Sequence, residues 1–167
     1  MAESFESYIK TRRKASETKK YLISNPEQFN AALNWAFPAS QNTSWIACWM
    51  ISQAMKRNDP RLIAHIPDCI ASLNTGNDGY KREVLNVLSK MKITLKGYPE
   101  LFDKCLDLWE DLKLQSSVRS KALQLAIELI KPYPELRNEI LLRVTDQQID
   151  AISPGIQKGL RIKLKKL

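Results

Sequence analysis

A chain of 167 residues with 44% hydrophobic and 26% charged residues can bury a substantial core, is too apolar for a disordered segment, and holds no apolar run long enough to cross a bilayer. Its net charge of +8 lies at the ends: residues 1–20 carry six basic and three acidic side chains, residues 153–167 carry five basic and none acidic, and the 132 between carry fifteen of each. A neutral middle argues against a broad polyanion-binding face.

The opening twenty residues mix Glu3, Glu6 and Glu17 with lysines and lack a continuous apolar stretch, so no secretory signal is expected and a cytoplasmic address follows. Phe5, Tyr8 and Ile9, then Arg12, Arg13 and Lys14, and a helical stretch to about residue 23 read as an N-terminal capping region over 1–24. Asn25 is the expected N-cap of the next helix, with Pro26 in its first turn and Phe29, Ala32, Leu33 and Ala36 at helical intervals until Pro38 stops the run. A helix over 43–57 shows Ile46, Trp49, Met50 and Ala54 on a broad apolar face. After Asp59-Pro60 a short turn precedes a main helix near Pro67, because a proline ring inside one continuous helix would clash with the carbonyl four residues back.

Residues 74–79, with Gly76 and Asp78-Gly79, form the clearest turn. A helix over 79–93 follows, then one holding Leu101, Phe102, Cys105, Leu106, Leu108, Trp109 and Leu112. A third pair runs over 116–131 and from Leu136 through Ile140 to Val144. Pro154-Gly155 restarts the chain into a basic C-terminal helix over 153–167, whose Ile156, Leu160 and Leu164 oppose Lys158, Arg161 and Lys165. The dipeptides at Pro26, Pro60, Pro99 and Pro134 recur after 34, 39 and 35 residues. Proline suits the first helical turn, where its missing N–H costs nothing, so the period predicts stacked helix pairs in one domain spanning 1–167.

With these pairs side by side, SWIACWMIS, VRSKALQLAIELI and YPELRNEIL resemble HEAT-like repeats of the armadillo type. The ending SPGIQKGLRIKLKKL is similar to that of a family of short bacterial HEAT-like proteins without an established activity. The resemblance implies an all-α, right-handed α-α superhelix of about four helix pairs with a C-terminal capping helix. It also implies a non-enzymatic scaffold that binds a protein or peptide, with the second helix of each pair lining a concave face.

Sorted by helix, the first members carry nine basic side chains, Arg119 among them, against two acidic ones; the second members carry nine acidic against four basic. Glu100, Asp103, Asp107 and Glu110 lie three and four residues apart, one acidic stripe opposite the apolar stripe of their helix. The stripe is either an ordinary solvated helix face or a groove for a partner of basic character. The alternative is a nucleic-acid-binding or DNA-repair protein of the HEAT-like alkyl-purine glycosylase type, which would need aromatics beside a carboxylate; Trp45 with Trp49, and Trp109 between Asp107 and Asp111, supply the residue types. An acidic second layer and charge confined to the ends weigh against that alternative.

The single histidine, His65, excludes a multi-histidine zinc site and leaves no Cys-His or Ser-His arrangement nearby in sequence. Cys48, Cys69 and Cys105 stand far apart without CxxC spacing and read as buried reduced thiols. No glycine-rich phosphate loop is present, so neither catalysis, a metal nor a cofactor is expected.

Overall fold

The structure, a computed structural model, describes residues 3–11, 13–37 and 42–167. Among them are eleven α-helices, two 3-10 turns and no strand. Pro38, expected to end a helix, and Arg12 of the basic cluster lie outside the described residues. By contact the chain divides into two compact units, Met1–Lys92 and Ile93–Leu167.

The first unit holds α1 (Phe5–Ile9), α2 (Ala15–Ser24), α3 (Pro26–Ala36), α4 (Ser44–Ala54), a 3-10 turn (Pro60–His65), α5 (Ile66–Ser72) and α6 (Asp78–Ser89). Helix α4 is its centre, packed against α2, α3 and α6, and so apolar on most of its circumference that Ala47, Cys48, Met50, Ile51 and Ala54 are all buried. Asn25 stands where α2 ends and α3 begins, but its side chain does not cap α3. It donates to the Tyr21 carbonyl (2.8 Å), satisfying an orphan acceptor at the end of α2 instead. Helix α4 ends at Ala54 and α6 at Ser89, three and four residues before the ends expected at 57 and 93. Asn58, with φ 54°, clips the two exits together: its N–H donates to the Lys90 carbonyl (2.8 Å) and its Oδ1 accepts from the Lys92 N–H (3.2 Å). Such a left-handed conformation suits Asn among non-glycine residues.

The second unit holds α7 (Glu100–Glu110), α8 (Ser116–Leu129), a 3-10 turn (Pro134–Leu136), α9 (Arg137–Arg143), α10 (Asp146–Asp150) and α11 (Pro154–Leu164). Its centre is the α7–α8 hairpin, closed by Leu101, Leu106, Trp109, Val118, Ala122 and Leu123, all essentially without exposure. Removing one of these leucines to Ala leaves a cavity worth about 2–5 kcal/mol. Leu112, expected on the apolar face of α7, lies beyond its end and is exposed. Asp111 breaks the helix there, accepting from the Lys113 N–H at 3.0 Å.

Arg119 sits inside this unit, 1% exposed. Its Nε donates to the Trp109 carbonyl (2.9 Å), its Nη2 to the Gln148 carbonyl (3.2 Å), and its guanidinium lies 4.9 Å from the Trp109 ring centre. Those carbonyls belong to the last turns of α7 and α10, where helix dipoles favour a cation. Its counting as a surface charge of the first layer is therefore corrected: it serves the interior. All three cysteines are buried free thiols, and burial raises the pKa of each. None of the described helices is long and apolar enough to cross a membrane.

Candidate functional site

Helix α7 is the most strongly two-sided element of the second unit. Leu101, Phe102, Cys105, Leu106, Leu108 and Trp109 are buried, and the intervening Glu100, Asp103, Asp107 and Glu110 are exposed. The spacing of three, four and three residues brings the four carboxylates onto one side. Glu110 approaches Arg143 Nη1 at 3.6 Å, and Arg143 is itself held by Glu139 (3.0 Å) and by its carbonyl, which accepts from Trp109 Nε1 at 3.1 Å. Glu100, Asp103 and Asp107 have no ion-pair partner among the described residues. Asp103 also borders a shallow cleft of about 530 Å³ lined by Leu95, Lys96, Pro99, Phe102, Tyr133 and Leu136. The acidic row is thus flanked by a partly apolar concavity, a feature the helical pattern alone could not place because Leu95 and Tyr133 come from loops before α7 and after α8.

The aromatic residues weighed from sequence separate. Trp109 is core, with no exposure, so it does not present an aromatic face beside Asp107 and Asp111. Trp45 is exposed and Trp49 half-buried, one turn apart on α4. They line a cleft of about 670 Å³ in the first unit that also takes in Tyr8, Arg13, Thr18, Arg82 and Glu83. Sequence reading noted that Trp45 and Trp49 share a helix face but missed Tyr8, Thr18 and Glu83, which α1, α2 and α6 bring there from distant positions.

His65 is half-buried at the end of its 3-10 turn, 4.0 Å from Asp68. Among the described residues no group of three His, Cys, Asp or Glu side chains converges on a point that could hold a metal ion.

Short helices joined in succession, packed against one another with no strand among the described residues, define an all-α protein. The family model for the HEAT repeat domain matches residues 6–167, and the chain belongs to that family. No curated protein and no solved structure matches it. HEAT repeats commonly serve as surfaces for protein partners.

Proposed function

We propose that this HEAT-repeat chain is a non-enzymatic interaction scaffold and that the acidic side of α7 receives a basic segment of a protein partner. The observation that carries this reading is the row Glu100, Asp103, Asp107: exposed, without cationic partners among the described residues, and adjoining the cleft of Leu95, Phe102, Tyr133 and Leu136. A segment with lysines or arginines at helical or extended spacing meets the carboxylates, and an apolar side chain between them enters the cleft. Each carboxylate is exposed and contributes modestly, so several acting together set the affinity and its salt dependence.

The test uses a fluorescein-labelled peptide alternating lysine with leucine, followed by anisotropy, against the wild-type chain and the Glu100→Ala/Asp103→Ala/Asp107→Ala variant. Loss of three attractive contacts should weaken binding by about tenfold or more at low salt and flatten its dependence on salt. Equal binding by the two proteins, or tighter binding of an otherwise identical glutamate peptide, would refute the assignment. Recovery of a native partner from cells by wild type but not by the triple variant would identify the ligand.

A further inference from the structure

The cleft in the first unit holds bonding capacity that the fold does not use. Its volume of about 670 Å³ falls in the range of small-molecule sites. Trp45, on its wall, is 40% exposed, whereas a large indole is ordinarily covered. The indole N–H groups of Trp35 and Trp109 donate to Thr43 Oγ1 (2.9 Å) and to the Arg143 carbonyl (3.1 Å). Those of Trp45 and Trp49 have no partner among the described residues. Thr18, also on the wall, is 1% exposed, and its hydroxyl has no hydrogen-bond partner among the described residues either. Buried polar groups are ordinarily satisfied, so an unpartnered hydroxyl beside a concavity points to a ligand.

Electrostatics decides the sign of that ligand. Lys10, Arg13 and Arg82 line the cleft against a single carboxylate, Glu83. Glu83 is buried and fully engaged, accepting from Arg82 Nε at 3.1 Å and from Asn86 Nδ2 at 2.9 Å. A cationic ligand would have to displace Arg82 from a buried carboxylate, and breaking such a pair is costly. An anion faces less opposition: Arg13 and Lys10 pair with Glu3 (3.1 Å) and Glu6 (3.0 Å), both in solvent, where such pairs are weak and exchangeable. Arg13 is also held in position, its guanidinium 4.8 Å from the Tyr8 ring centre and Tyr8 stacked in turn on Tyr21 at 3.7 Å.

We propose that this cleft binds a small planar aromatic acid, its ring against Trp45 and Trp49 and its anionic group toward Arg13. The site is independent of the acidic side of α7, and either can fail without the other. Calorimetric titration of the full chain with indole-3-acetate should show saturable one-to-one binding in the millimolar range or tighter. Tryptamine, with the same ring and the opposite charge, should bind at least about tenfold more weakly. Trp45→Ala should weaken indole-3-acetate by about tenfold or more, since stacking and apolar cover are lost together. Arg13→Gln should erase most of the preference over tryptamine, and Thr18→Val should weaken binding severalfold while keeping the side-chain volume. In a proton–nitrogen correlation spectrum the indole signals of Trp45 and Trp49 should shift, with those of Trp35 and Trp109 unmoved. No binding of indole-3-acetate, tryptamine binding as well or better, or full binding by Trp45→Ala would overturn the proposal. Should Trp45→Ala fail to fold, unchanged selectivity in the exposed Arg13→Gln variant would overturn it equally.

Discussion

Arg119 shows what a charge can do inside a helical hairpin with no ion pair among the described residues to hold it. Burial lowers its pKa, yet the guanidinium meets two helix C-termini and the face of an indole. Truncation would leave the Trp109 and Gln148 carbonyls unpaired and a cavity in their place. Arg119→Ala should therefore cost about 3 kcal/mol or more in urea unfolding, and Arg119→Lys less, since an ammonium keeps the charge but not the planar fork. Asp59 follows a different logic. Its carboxylate is buried, accepts from the Lys56 and Arg61 N–H groups (3.2 Å each), and pairs with Arg61 Nη2 at 2.7 Å; the Arg61 hydrogen bond holds its pKa below the ordinary carboxylate value. A carboxyl depressed in the folded state stabilises above about pH 4 and loses that contribution as pH falls through its folded value. Asp59→Asn should therefore lower the urea midpoint at pH 7, and the gap from wild type should narrow as pH falls below about 4. Gly76 is fixed by space rather than by backbone angle: a Cβ there would lie 2.1 Å from Tyr80 Cδ1, and Tyr80 cannot swing away because it is buried and its hydroxyl donates to the Ala36 carbonyl at 2.7 Å. Gly76→Ala should destabilise by about 1–3 kcal/mol, read from the same unfolding curves.

At the scale of elements, helix starts were more legible than helix ends. Pro26, Pro60, Pro134 and Pro154 each open an element, and Pro67 is the second residue of α5, as their missing N–H groups require. Ends depend on what the backbone meets after leaving the helix: the Asn58 clip shortens α4 and α6, and the Asp111 turn strands Leu112, neither of which apolar periodicity registers. Helix α10 went unread because five residues carry too little periodicity, although its capping box was on view: the Gln148 N–H donates to Thr145 Oγ1 (3.3 Å) and the Thr145 N–H donates to Gln148 Oε1 (2.9 Å). The acidic side of α7 was fully legible, because a single helix carries all four carboxylates. The aromatic cleft was not, since its wall is assembled from four helices and two of its polar members, Thr18 and Glu83, look in sequence like ordinary surface residues. That covered and solvated sides of α7 are so cleanly divided gives a further expectation: Asp103→Lys with Asp107→Lys should leave the unfolding free energy from urea titration within about 0.5–1 kcal/mol of wild type while reversing the preference from lysine to glutamate peptides.

For the whole molecule, burial of acidic protons sets an alkaline limit. The Tyr21 hydroxyl is pushed up to about 12, chiefly by burial and then by Glu3, and burial raises Tyr80 and all three thiols. Unfolded thiols ionise near pH 8.5 and phenols near pH 10, so the unfolded chain loses protons that the folded chain keeps. Stability must then fall as pH rises through that window, and urea midpoints measured from pH 8 to pH 11 should decline steadily. Both units contribute, since Cys48, Cys69, Tyr21 and Tyr80 belong to Met1–Lys92 and Cys105 to Ile93–Leu167. Sequestration of every native thiol also makes the surface a blank page for labelling chemistry: a cysteine put in place of Asp107 would be the one exposed thiol for a maleimide dye. A reporter could thus sit beside the remaining carboxylates with no native cysteine removed, and its emission would register an arriving partner directly.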